Sequence, residues 1–384
     1  MIEKVFHGSR RYWLLLLVLG ALIATGIFFY LRQTSEGLAV TGMSRSVSWG
    51  LYIAQFTFFV GVAASAVTVV LPYYLHDYKA FGKITILGEF LAVSSVIMCL
   101  LFIFVDLGQP FRILHVILYP SPTSPMFWDT VVLFIYLVLN LVIGWTVLTA
   151  EYRGTPPPSW VKPLIILSIP WAISIHTVTA FLYAGLPGRH LWLSAITAAR
   201  FLASAFSSGP ALLIILCRVA RRYTDFDPGE KPERALGLII TYAFSAHIFF
   251  ILLEVFTAFY SGIPSHRASL ERLFWGWGDP ASLTPFMWLS MMLAAAALFL
   301  LYTPARRRDA GLLIASIAVF ASVWIEKGLG FVVGGFNPDP MEYVPAYRPT
   351  VPESFITAGV WATGLYILAL LFKITAAVRA RSSE

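Results

Sequence analysis

The chain has 384 residues, of which 58% are hydrophobic and only 12% are charged, a composition that excludes an ordinary soluble globular domain. The formal net charge of +7 could indicate a nucleic-acid partner, but the basic residues lie in short segments between apolar runs, so we expect no nucleic-acid binding. The composition predicts an integral membrane protein.

Ten apolar segments are long enough to cross a membrane, since a membrane helix needs about 20 mostly apolar residues. They run over 12–31, 47–72, 84–105, 127–150, 163–184, 192–217, 235–260, 285–302, 311–331 and 354–376. The predicted fold class is therefore an all-α integral membrane protein with about ten transmembrane helices and no large soluble domain.

The distribution of Lys and Arg predicts the orientation of these helices. Most of the 27 basic residues lie in the connections on one side, and the positive-inside rule assigns that side to the cytoplasm. We therefore expect both termini in the cytoplasm and a location in the inner (cytoplasmic) membrane. Arg10 and Arg11 precede the first apolar segment as in a twin-arginine signal, but this segment is long enough to span, so we predict a retained first helix.

Short connections make sequential helices antiparallel neighbours, which predicts four regions within a single membrane domain, 1–384. Residues 1–46 hold the first helix and an outward loop, and 47–184 form a first four-helix bundle of helices two to five. Residues 192–331 form a second bundle of helices six to nine, and 332–384 hold an outward loop and the last helix. The outward loops are long and rich in Pro, Gly and aromatic residues, so we expect a partner on that face.

The two cysteines, Cys99 and Cys217, lie inside apolar segments without another Cys or a His at ligand spacing. We predict that both are small buried residues. Because most iron–sulfur cluster types need four thiolates, we expect no cluster bound by this chain. Any electrons must then be carried by another group or protein.

Ionisable residues at membrane depth cost about 2.5–3.5 kcal/mol each and mark candidate sites. They are Glu89, Asp106, His176, Arg200, His247, Glu254, Glu326 and Lys327. For the adjacent Glu326 and Lys327 we favour a local ion pair or a snorkelling lysine. Glu89 and Asp106 are separated by about 25 Å along one helix, so they are expected near opposite ends of the third span.

His176 lies near the middle of the fifth predicted span. A neutral imidazole can exchange a proton near neutral pH, which is what the headgroup of a quinone requires. The alternative is a haem b ligand, for which His247 is the only partner in the middle of another span. We favour the quinone interpretation and expect no haem.

The segment 106–129, "DLGQPFRILHVILYPSPTSPMFWD", carries Asp106, Gln109, Arg112, His115 and four prolines between two apolar spans. Two interpretations remain open. The polar residues could cap a quinone pocket at the membrane edge, with the prolines fixing the shape of the cap. Alternatively, Asp106 and Arg112 could form a structural clasp that only pins the loop.

Four stretches resemble the NrfD/polysulfide-reductase family of membrane subunits. They are "SWGLYIAQFTFFVGVAASA" (48–66), "DLGQPFR" (106–112), "PTSPMFW" (122–128) and "HTVTAFLYAGLPGRHLWLSAITAARFLASAFSSGPAL" (176–212). The last stretch is similar to the ten-helix branch that includes the DsrP subunit of the sulfite-reduction-associated DsrMKJOP complex and the Hmc membrane subunits.

The resemblance implies a menaquinone or related quinone site in the first bundle, close to the outward face. It also implies an outward ferredoxin-like iron–sulfur partner, a multihaem cytochrome c, and other membrane and cytoplasmic subunits. In the polysulfide-reductase branch, the helix that matches 48–66 contacts the quinone, and this match falls on Tyr52 and Gln55. Gln55 stands where that branch has a His, which shifts the expected headgroup contacts toward His176 and the 106–115 segment.

These observations predict a quinone-interacting subunit of a respiratory redox complex, catalytic only within that complex and linked to sulfur-compound metabolism. The candidate quinone-binding residues are Tyr52, Gln55, Asp106, Gln109, Arg112, His115 and His176. Two alternatives remain. One is a secondary transporter, although no pair of Gly/Pro-broken helices occurs in corresponding halves. The other is a proton-translocating subunit, in which Glu89, Arg200 and Glu254 line a proton path.

Overall fold

The computed structural model describes residues 2–223, 226–277, 283–338, 341 and 343–382. Within these residues, ten helices are long and apolar enough to cross a membrane, and no β-strand occurs. We number them α1 to α10: Arg10–Glu36, Leu51–Leu75, Gly82–Asp106, Pro125–Arg153, Val161–Ala184, Thr197–Tyr223, Glu230–Tyr260, Thr284–Tyr302, Asp309–Gly334 and Val351–Ser382. The predicted all-α class and the number of spans are confirmed.

Local sequence signals explain where several helices begin and end. Ser9 caps α1 by accepting a hydrogen bond from the Tyr12 backbone N–H at 3.3 Å. Pro125 begins α4, where its missing N–H is not needed, and Gly154 ends this helix in the left-handed conformation at φ 66°. The sixth helix begins later than predicted, because residue 192 belongs to a connection whose Trp192 indole donates to the Phe331 carbonyl at 2.7 Å.

The connections between helices lie at two ends of the molecule. One end, which we call the loop-rich end, holds the described parts of five connections: 37–50, 107–124, 185–196, 261–283 and 335–350. The four connections 76–81, 154–160, 226–229 and 303–308 lie at the opposite end. Parts of the predicted outward loops, residues 278–282, 339, 340 and 342, lie outside the described residues.

Helix α2 lies at the centre of the molecule, with every residue of its most apolar window buried. It packs against α3, α6 and the later part of α9. By contrast, only 17% of the corresponding window of α1 is buried. Helix α1 packs against α10, and a side chain on Gly26 would come within 2.8 Å of the Gly359 Cα, so small residues permit this close approach.

Helix α9 contains a seven-residue π-helical segment, Trp324–Gly330, which we call the π segment. Such segments are rare and are frequently found at functional sites. We keep the predicted division of the chain and call residues 47–184 the first helix group and residues 192–331 the second. The π segment packs against α2 of the first group, so it lies where the two groups meet.

Candidate functional site

Tyr52 and Asp106 lie near each other at the loop-rich end of the first helix group. The buried Tyr52 hydroxyl donates to Gln33 Oε1 at 2.7 Å, and Gln33 Nε2 donates to the Val105 carbonyl at 2.6 Å. Asp106 follows as the last residue of α3, within electrostatic range of Tyr52. Its Oδ1 atom is buried without a protein hydrogen-bond partner. The structure therefore brings together two of the predicted quinone-binding residues.

The segment after Asp106 forms a short 3₁₀ helix, Pro110–Leu114, followed by one α-helical turn, His115–Leu118. Gln109, Arg112 and His115 are exposed on it, and the His115 ring packs edge-to-face on Tyr119 at 5.2 Å. Among the described residues, no ion pair joins Asp106 to Arg112, so the proposed clasp is absent. These three polar side chains do not join Tyr52 in the interior.

Glu353 was not among the predicted site residues, but it is fully buried beside this region. Its carboxylate accepts hydrogen bonds from the backbone N–H groups of Gly42 and Leu51, each at 3.1 Å, and from the Tyr347 hydroxyl. It also forms a capping box with Thr350, in which each backbone N–H donates to the other side chain at 3.4 Å. The Thr-x-x-Glu spacing was the available sequence signal.

The Tyr347 hydroxyl is held as a donor by this arrangement. Burial, followed by the charge of the Glu353 carboxylate, raises the pKa of Tyr347 well above its ordinary value. The phenol therefore remains protonated, and its proton stays directed at Glu353. This bond joins the 343–350 segment to the beginning of α10.

His176 lies in the interior of the first helix group, and it is fully buried with neither ring nitrogen bonded to a protein partner. It shares a face of α5 with Thr179 and Tyr183. Thr179 donates to Asp129 Oδ1 at 2.6 Å, and the Tyr183 hydroxyl is hydrogen-bonded to the Thr57 hydroxyl of α2. Thr179 and Tyr183 are hydrogen-bonded to other side chains, whereas His176, in the same row, has no protein partner.

Asp129 is a second buried carboxyl that the sequence interpretation missed. It lies in the second turn of α4, directly after the "PTSPMFW" stretch. A carboxyl just inside the predicted fourth span was the available signal. Its hydrogen bond from Thr179 joins α4 to α5.

Gln55 lies one turn after Tyr52 on α2 and is fully buried. Its Oε1 atom accepts hydrogen bonds from the indoles of Trp324 and Trp361, at 2.8 and 3.0 Å. Its Nε2 atom has no protein partner. Gln55 therefore offers an amide donor in the interior, while its acceptor is already used.

Lys327 lies in the π segment, and its ammonium group is buried without a hydrogen-bond partner. The Nζ atom lies 4.3 Å from the centroid of the Phe201 ring. A Cβ atom on Gly61 of α2 would lie 3.1 Å from it. The absence of a side chain at Gly61 therefore leaves room for the lysine.

The expected local ion pair between Glu326 and Lys327, or a snorkelling Lys327, is wrong. Glu326 is paired with Arg200, and the Lys327 amine ends in the protein interior. Consecutive residues on a helix do not face each other. The two side chains therefore project toward different neighbours, Glu326 toward α6 and α7 and Lys327 toward α2.

The second helix group holds a cluster of four ionisable side chains, which we call the Arg200 cluster: Arg200, His247, Glu254 and Glu326. Arg200 forms ion pairs with Glu254 and Glu326, and His247 Nε2 lies 3.1 Å from Glu326 Oε2. A cleft lined in part by Arg200, Glu254 and Glu326 has about 30 Å³ of space open to water. That volume admits about two water molecules.

Glu89 lies in the opposite half of α3 from Asp106, as predicted from their spacing. Both of its carboxylate oxygens are buried without a protein partner. A Cβ atom on Gly144 of α4 would lie 3.2 Å from Glu89 Oε2, and Arg379 lies within electrostatic range. Of the three predicted proton-path residues, Arg200 and Glu254 are in contact, and Glu89 is not part of their cluster.

Potential metal ligands are scattered through the described part of the chain. There, no group of three or more His, Cys, Asp or Glu side chains could hold a metal ion. Cys99 and Cys217 are buried and unpaired, so their predicted burial is confirmed.

Comparison with known proteins tests the family resemblance. A family model described as "Polysulphide reductase, NrfD" matches residues 39–332. The chain is 29% identical to a putative dimethyl sulfoxide reductase membrane subunit of Halobacterium salinarum, over 94% of this chain and 90% of the relative. It is 25% identical to a selenate reductase subunit of Mesobacillus selenatarsenatis, over 67% of this chain and 68% of the relative.

A third relative is the Hdr-like menaquinol oxidoreductase integral membrane subunit of Archaeoglobus fulgidus, which is 24% identical over 90% of this chain and 85% of its own length. The family match covers far more than half of the chain, so the predicted resemblance is confirmed. The chain is therefore an integral membrane protein that belongs to the NrfD, or polysulphide reductase, family.

Proposed function

We propose that this chain is the quinone-interacting membrane subunit of a multi-subunit oxidoreductase and is catalytic only within that complex. Its membership of the NrfD family supports this proposal. So do the names of the relatives, which are subunits of a menaquinol oxidoreductase and of two reductases. The quinone is a menaquinone or a related quinone.

The observation that carries the proposal is the Asp106 Oδ1 atom, which is buried without a protein hydrogen-bond partner near the hydrogen-bonded Tyr52 and Gln33. A buried polar atom needs a hydrogen-bond partner. A quinone carbonyl accepts hydrogen bonds and a quinol hydroxyl donates them, so the headgroup supplies what Asp106 lacks. The residues present therefore fit the group.

The protein side chains bind the headgroup and hold its protons. A bound quinol supplies two electrons and two protons. Asp106 accepts a hydrogen bond from the headgroup and receives a proton at its unpartnered Oδ1. Tyr52 is oriented by its bond to Gln33, which leaves lone pairs of its hydroxyl oxygen free to accept. The Gln55 Nε2 donor and the His176 ring provide further polar contacts deeper in the first helix group.

The exposed Gln109, Arg112 and His115 belong to the mouth of this site. Arg112 and His115 lie on a segment bounded by Pro110 and Pro125, which Gln109 directly precedes. A fixed backbone φ at proline limits the shapes that this segment can adopt. The three polar side chains hydrogen-bond to water at the loop-rich end, where protons leave the site. We propose that this end faces outward and that both termini lie in the cytoplasm, because the opposite end carries most of the Lys and Arg residues.

The partner that exchanges electrons with the quinone binds at the loop-rich end. We propose a ferredoxin-like iron–sulfur subunit, with a multihaem cytochrome c and further membrane and cytoplasmic subunits in the same complex. The exposed apolar side chains of Phe111, Ile117 and Tyr119, between 70% and 89% exposed, support a protein partner there. The link to dissimilatory sulfur-compound metabolism is part of the same proposal.

The test uses the whole complex in lipid nanodiscs, with quenching of tryptophan fluorescence by a short-chain menaquinone analogue and quinol turnover measured on the same samples. We expect Asp106→Asn and Tyr52→Phe to lower quinol turnover at least about tenfold, which corresponds to about 1.4 kcal/mol. Asp77→Asn is the matched control. Asp77 is exposed at the opposite end with a φ of 54°, a conformation that Asn also tolerates.

Three outcomes would decide the assignment. Saturable quenching that weakens in Asp106→Asn and remains in Asp77→Asn supports the site. Unchanged turnover in Asp106→Asn, Tyr52→Phe and His176→Ala would show that the headgroup binds elsewhere. If the wild-type complex shows no saturable quenching, the quinone function is wrong, and solute uptake into proteoliposomes should then be measured.

Proton translocation is a second candidate function, favoured by the Arg200 cluster beside its water-sized cleft. Buried ionisable groups in membrane proteins commonly mark proton relays. Under this proposal, quinol turnover in sealed vesicles produces a pH change across the membrane. We expect Glu254→Gln or Glu89→Gln to reduce this pH change to the part that comes from the quinol's own protons, and an unchanged signal in both variants would contradict the path.

A further inference from the structure

We propose that Glu353 and Tyr347 are positioning residues of the quinone site. They hold the start of α2, and with it the Tyr52 side chain, against α1 and α3. This inference rests on the proposed function, since it adds two residues that act on the same site through its backbone. It gives a role to a buried carboxylate that the sequence had not indicated.

The first backbone N–H of α2 is held by side chains from the far end of the sequence. Gly50, at the N-cap, has no side chain that could accept it, and the first N–H groups of a helix lack acceptors within the helix. The Leu51 N–H donates instead to the Tyr347 hydroxyl at 2.6 Å and to Glu353 Oε1 at 3.1 Å. Tertiary contacts therefore fix the position at which α2 begins.

Tyr347 and Glu353 are also bonded to each other. The Tyr347 hydroxyl donates its one proton to Glu353 Oε1, so its lone pairs remain for the Leu51 N–H. An ionised carboxylate accepts hydrogen bonds and does not donate them, and its negative charge is favourable at the positive N-terminal end of α2. The hydroxyl, the carboxylate and the backbone N–H therefore form a closed set of three hydrogen bonds.

Glu353 holds the connection that leads into α2 at a second point. Its other oxygen, Oε2, accepts a hydrogen bond from the Gly42 backbone N–H at 3.1 Å. Gly42 lies in the 37–50 connection between α1 and α2, and the Thr350 hydroxyl donates to the Val40 carbonyl of the same connection at 2.8 Å. One carboxylate thus fixes both the middle of this connection and the first residue of α2.

The hydrogen bond of Tyr52 crosses between the two helices that this connection joins. Tyr52 is the second residue of α2, and its hydroxyl donates to Gln33 of α1. Gln33 in turn donates to the backbone carbonyl that precedes Asp106 on α3. Because Leu51 and Tyr52 are consecutive, a shift of the Leu51 backbone moves the Tyr52 hydroxyl relative to Gln33. Only one hydrogen bond and one peptide unit separate Tyr347 from Tyr52.

The sequence leaves room for the pair at Gly50. A Cβ atom on this residue would lie 2.5 Å from the Tyr347 hydroxyl oxygen and 2.8 Å from Glu353 Oε1. Both distances are shorter than the separations at which non-bonded atoms attract each other. A side chain at residue 50 would therefore keep both members of the pair in the protein and displace them from the start of α2.

The experiment uses the whole complex in lipid nanodiscs and measures the affinity of the short-chain menaquinone analogue by quenching of tryptophan fluorescence. Tyr347→Phe removes the hydroxyl and keeps the ring, whereas Gly50→Ala keeps the pair and displaces it. Tyr136→Phe is the matched control for the first change. The buried Tyr136 hydroxyl also bonds to α2, donating to the Ala63 carbonyl at 3.3 Å, but about 18 Å along the helix from its start.

We expect Tyr347→Phe and Gly50→Ala to raise the dissociation constant of the analogue at least about fivefold, as for the loss of one ordinary hydrogen bond. Tyr136→Phe should bind as the wild type does. So should Gly20→Ala, since a Cβ atom on Gly20 of α1 meets nothing within 4 Å. Wild-type affinity in Tyr347→Phe, or an equal loss in Tyr136→Phe, would overturn the proposal, because the pair would then contribute only to general stability.

A second measurement reports on Tyr52 itself and needs no quinone. In the purified chain, tyrosine labelled with ¹³C at Cζ gives one resonance for each residue, and that of Tyr52 is identified by its loss in Tyr52→Phe. We expect Tyr347→Phe and Gly50→Ala to move the Tyr52 resonance and Gly20→Ala to leave it in place. An unmoved Tyr52 resonance in the first two variants would overturn the positioning role. Failure of the wild-type complex to bind the analogue would instead refute the proposed function, and the labelled chain would still test the pair.

Discussion

The Arg200 cluster of the second helix group differs from the buried ionisable residues of the first helix group in having partners within the protein, whereas Lys327 of the second group has none. In the second group, the members of the Arg200 cluster contact each other, so each charge has a partner of opposite sign or a hydrogen-bonding neighbour. In the first group, Glu89, Asp106 and His176 each have buried polar atoms without a protein partner. Since buried polar groups are almost always satisfied, the unpartnered groups of the first helix group, together with Lys327, are the candidates for binding a ligand or exchanging protons.

Burial alone therefore does not identify a functional site in a membrane protein. Arg200 and Asp106 are both ionisable residues in membrane helices, but only Asp106 leaves an interaction open. A buried ionisable residue whose partners lie within the protein stabilises the fold, whereas one without protein partners is free to bind a ligand or a proton. Substitutions that remove either a satisfied or an unsatisfied group test this distinction.

The largest effect is expected from Arg200→Gln. This change leaves Glu254 and Glu326 buried without their cation, and breaking a buried ion pair on one side costs about 3–5 kcal/mol. We expect a strongly lowered midpoint of thermal unfolding in detergent, with much of the protein failing to assemble. The triple variant Arg200→Gln, Glu254→Gln and Glu326→Gln removes the charges together and should recover part of the loss. Equal stability of Arg200→Gln and the wild type would show that the cluster is not satisfied internally.

A smaller loss is expected from Glu353→Gln at the loop-rich end. The carboxylate accepts hydrogen bonds from the Gly42 and Leu51 backbone and from Tyr347. Glutamine cannot accept all of them, because its side-chain amide has one acceptor oxygen and an NH₂ group that only donates. Leaving one buried donor unsatisfied costs about 1–3 kcal/mol. Chemical denaturation of the purified chain should show this decrease, and Glu353→Asp, which keeps the charge but is shorter, should fall between.

Asp106→Asn is the counterpart of Glu353→Gln at the same end of the molecule. Because the Asp106 Oδ1 atom has no protein partner, its replacement by an amide should change the free energy of unfolding by less than about 0.5 kcal/mol, or increase it. Activity and stability would then separate, with quinol turnover lost and the fold kept. A destabilisation as large as that of Glu353→Gln would show that Asp106 is a structural residue.

The sequence predicted the helices well because long apolar runs are strong signals. It also identified every member of the Arg200 cluster as a buried ionisable residue. It did not predict their pairing, since Arg200, Glu254 and Glu326 come from three helices and no local spacing relates them. The capping-box spacing of Thr350 and Glu353 was visible, but the burial of Glu353 depends on the distant Gly42.

Glu326 and Lys327 project toward different neighbours because they are consecutive helix residues, and the π segment that contains them has no clear signature in a single sequence. The apolar run around these two residues predicts an ordinary helix, and adjacent opposite charges in such a run suggest a local pair. Tertiary contacts prevent that local pair, because Glu326 pairs with Arg200 instead of Lys327 and Gly61 leaves space for the Lys327 side chain. The unsatisfied groups of the first helix group could likewise be found only once their neighbours were known.

The smallest effect is expected at the loop-rich end, where His190 of the 185–196 connection lies close to His266 of the short helix Pro264–Trp275. His190 and His266 lie with ring centroids 5.9 Å apart, and burial, followed by the charge of His190, lowers the pKa of His266 below its ordinary value. The folded chain therefore binds this proton less readily than the unfolded chain does. By linkage, the stability of this contact is present above the unfolded value of about 6.5 and is lost as the pH falls below it.

We expect hydrogen exchange of the 185–196 and 264–275 segments to become faster, relative to the intrinsic rate, as the pH falls from about 7.5 to about 5.5, on either side of the ordinary histidine pKa. His266→Gln should remove this pH dependence, while His76→Gln, at the opposite end, should leave it unchanged. The effect is limited to one partly exposed contact, so exchange in α2 and in the Arg200 cluster should not change over the same range. If acidification instead loosened the Arg200 cluster, its charges would not satisfy one another, and the contrast between the two helix groups would fail.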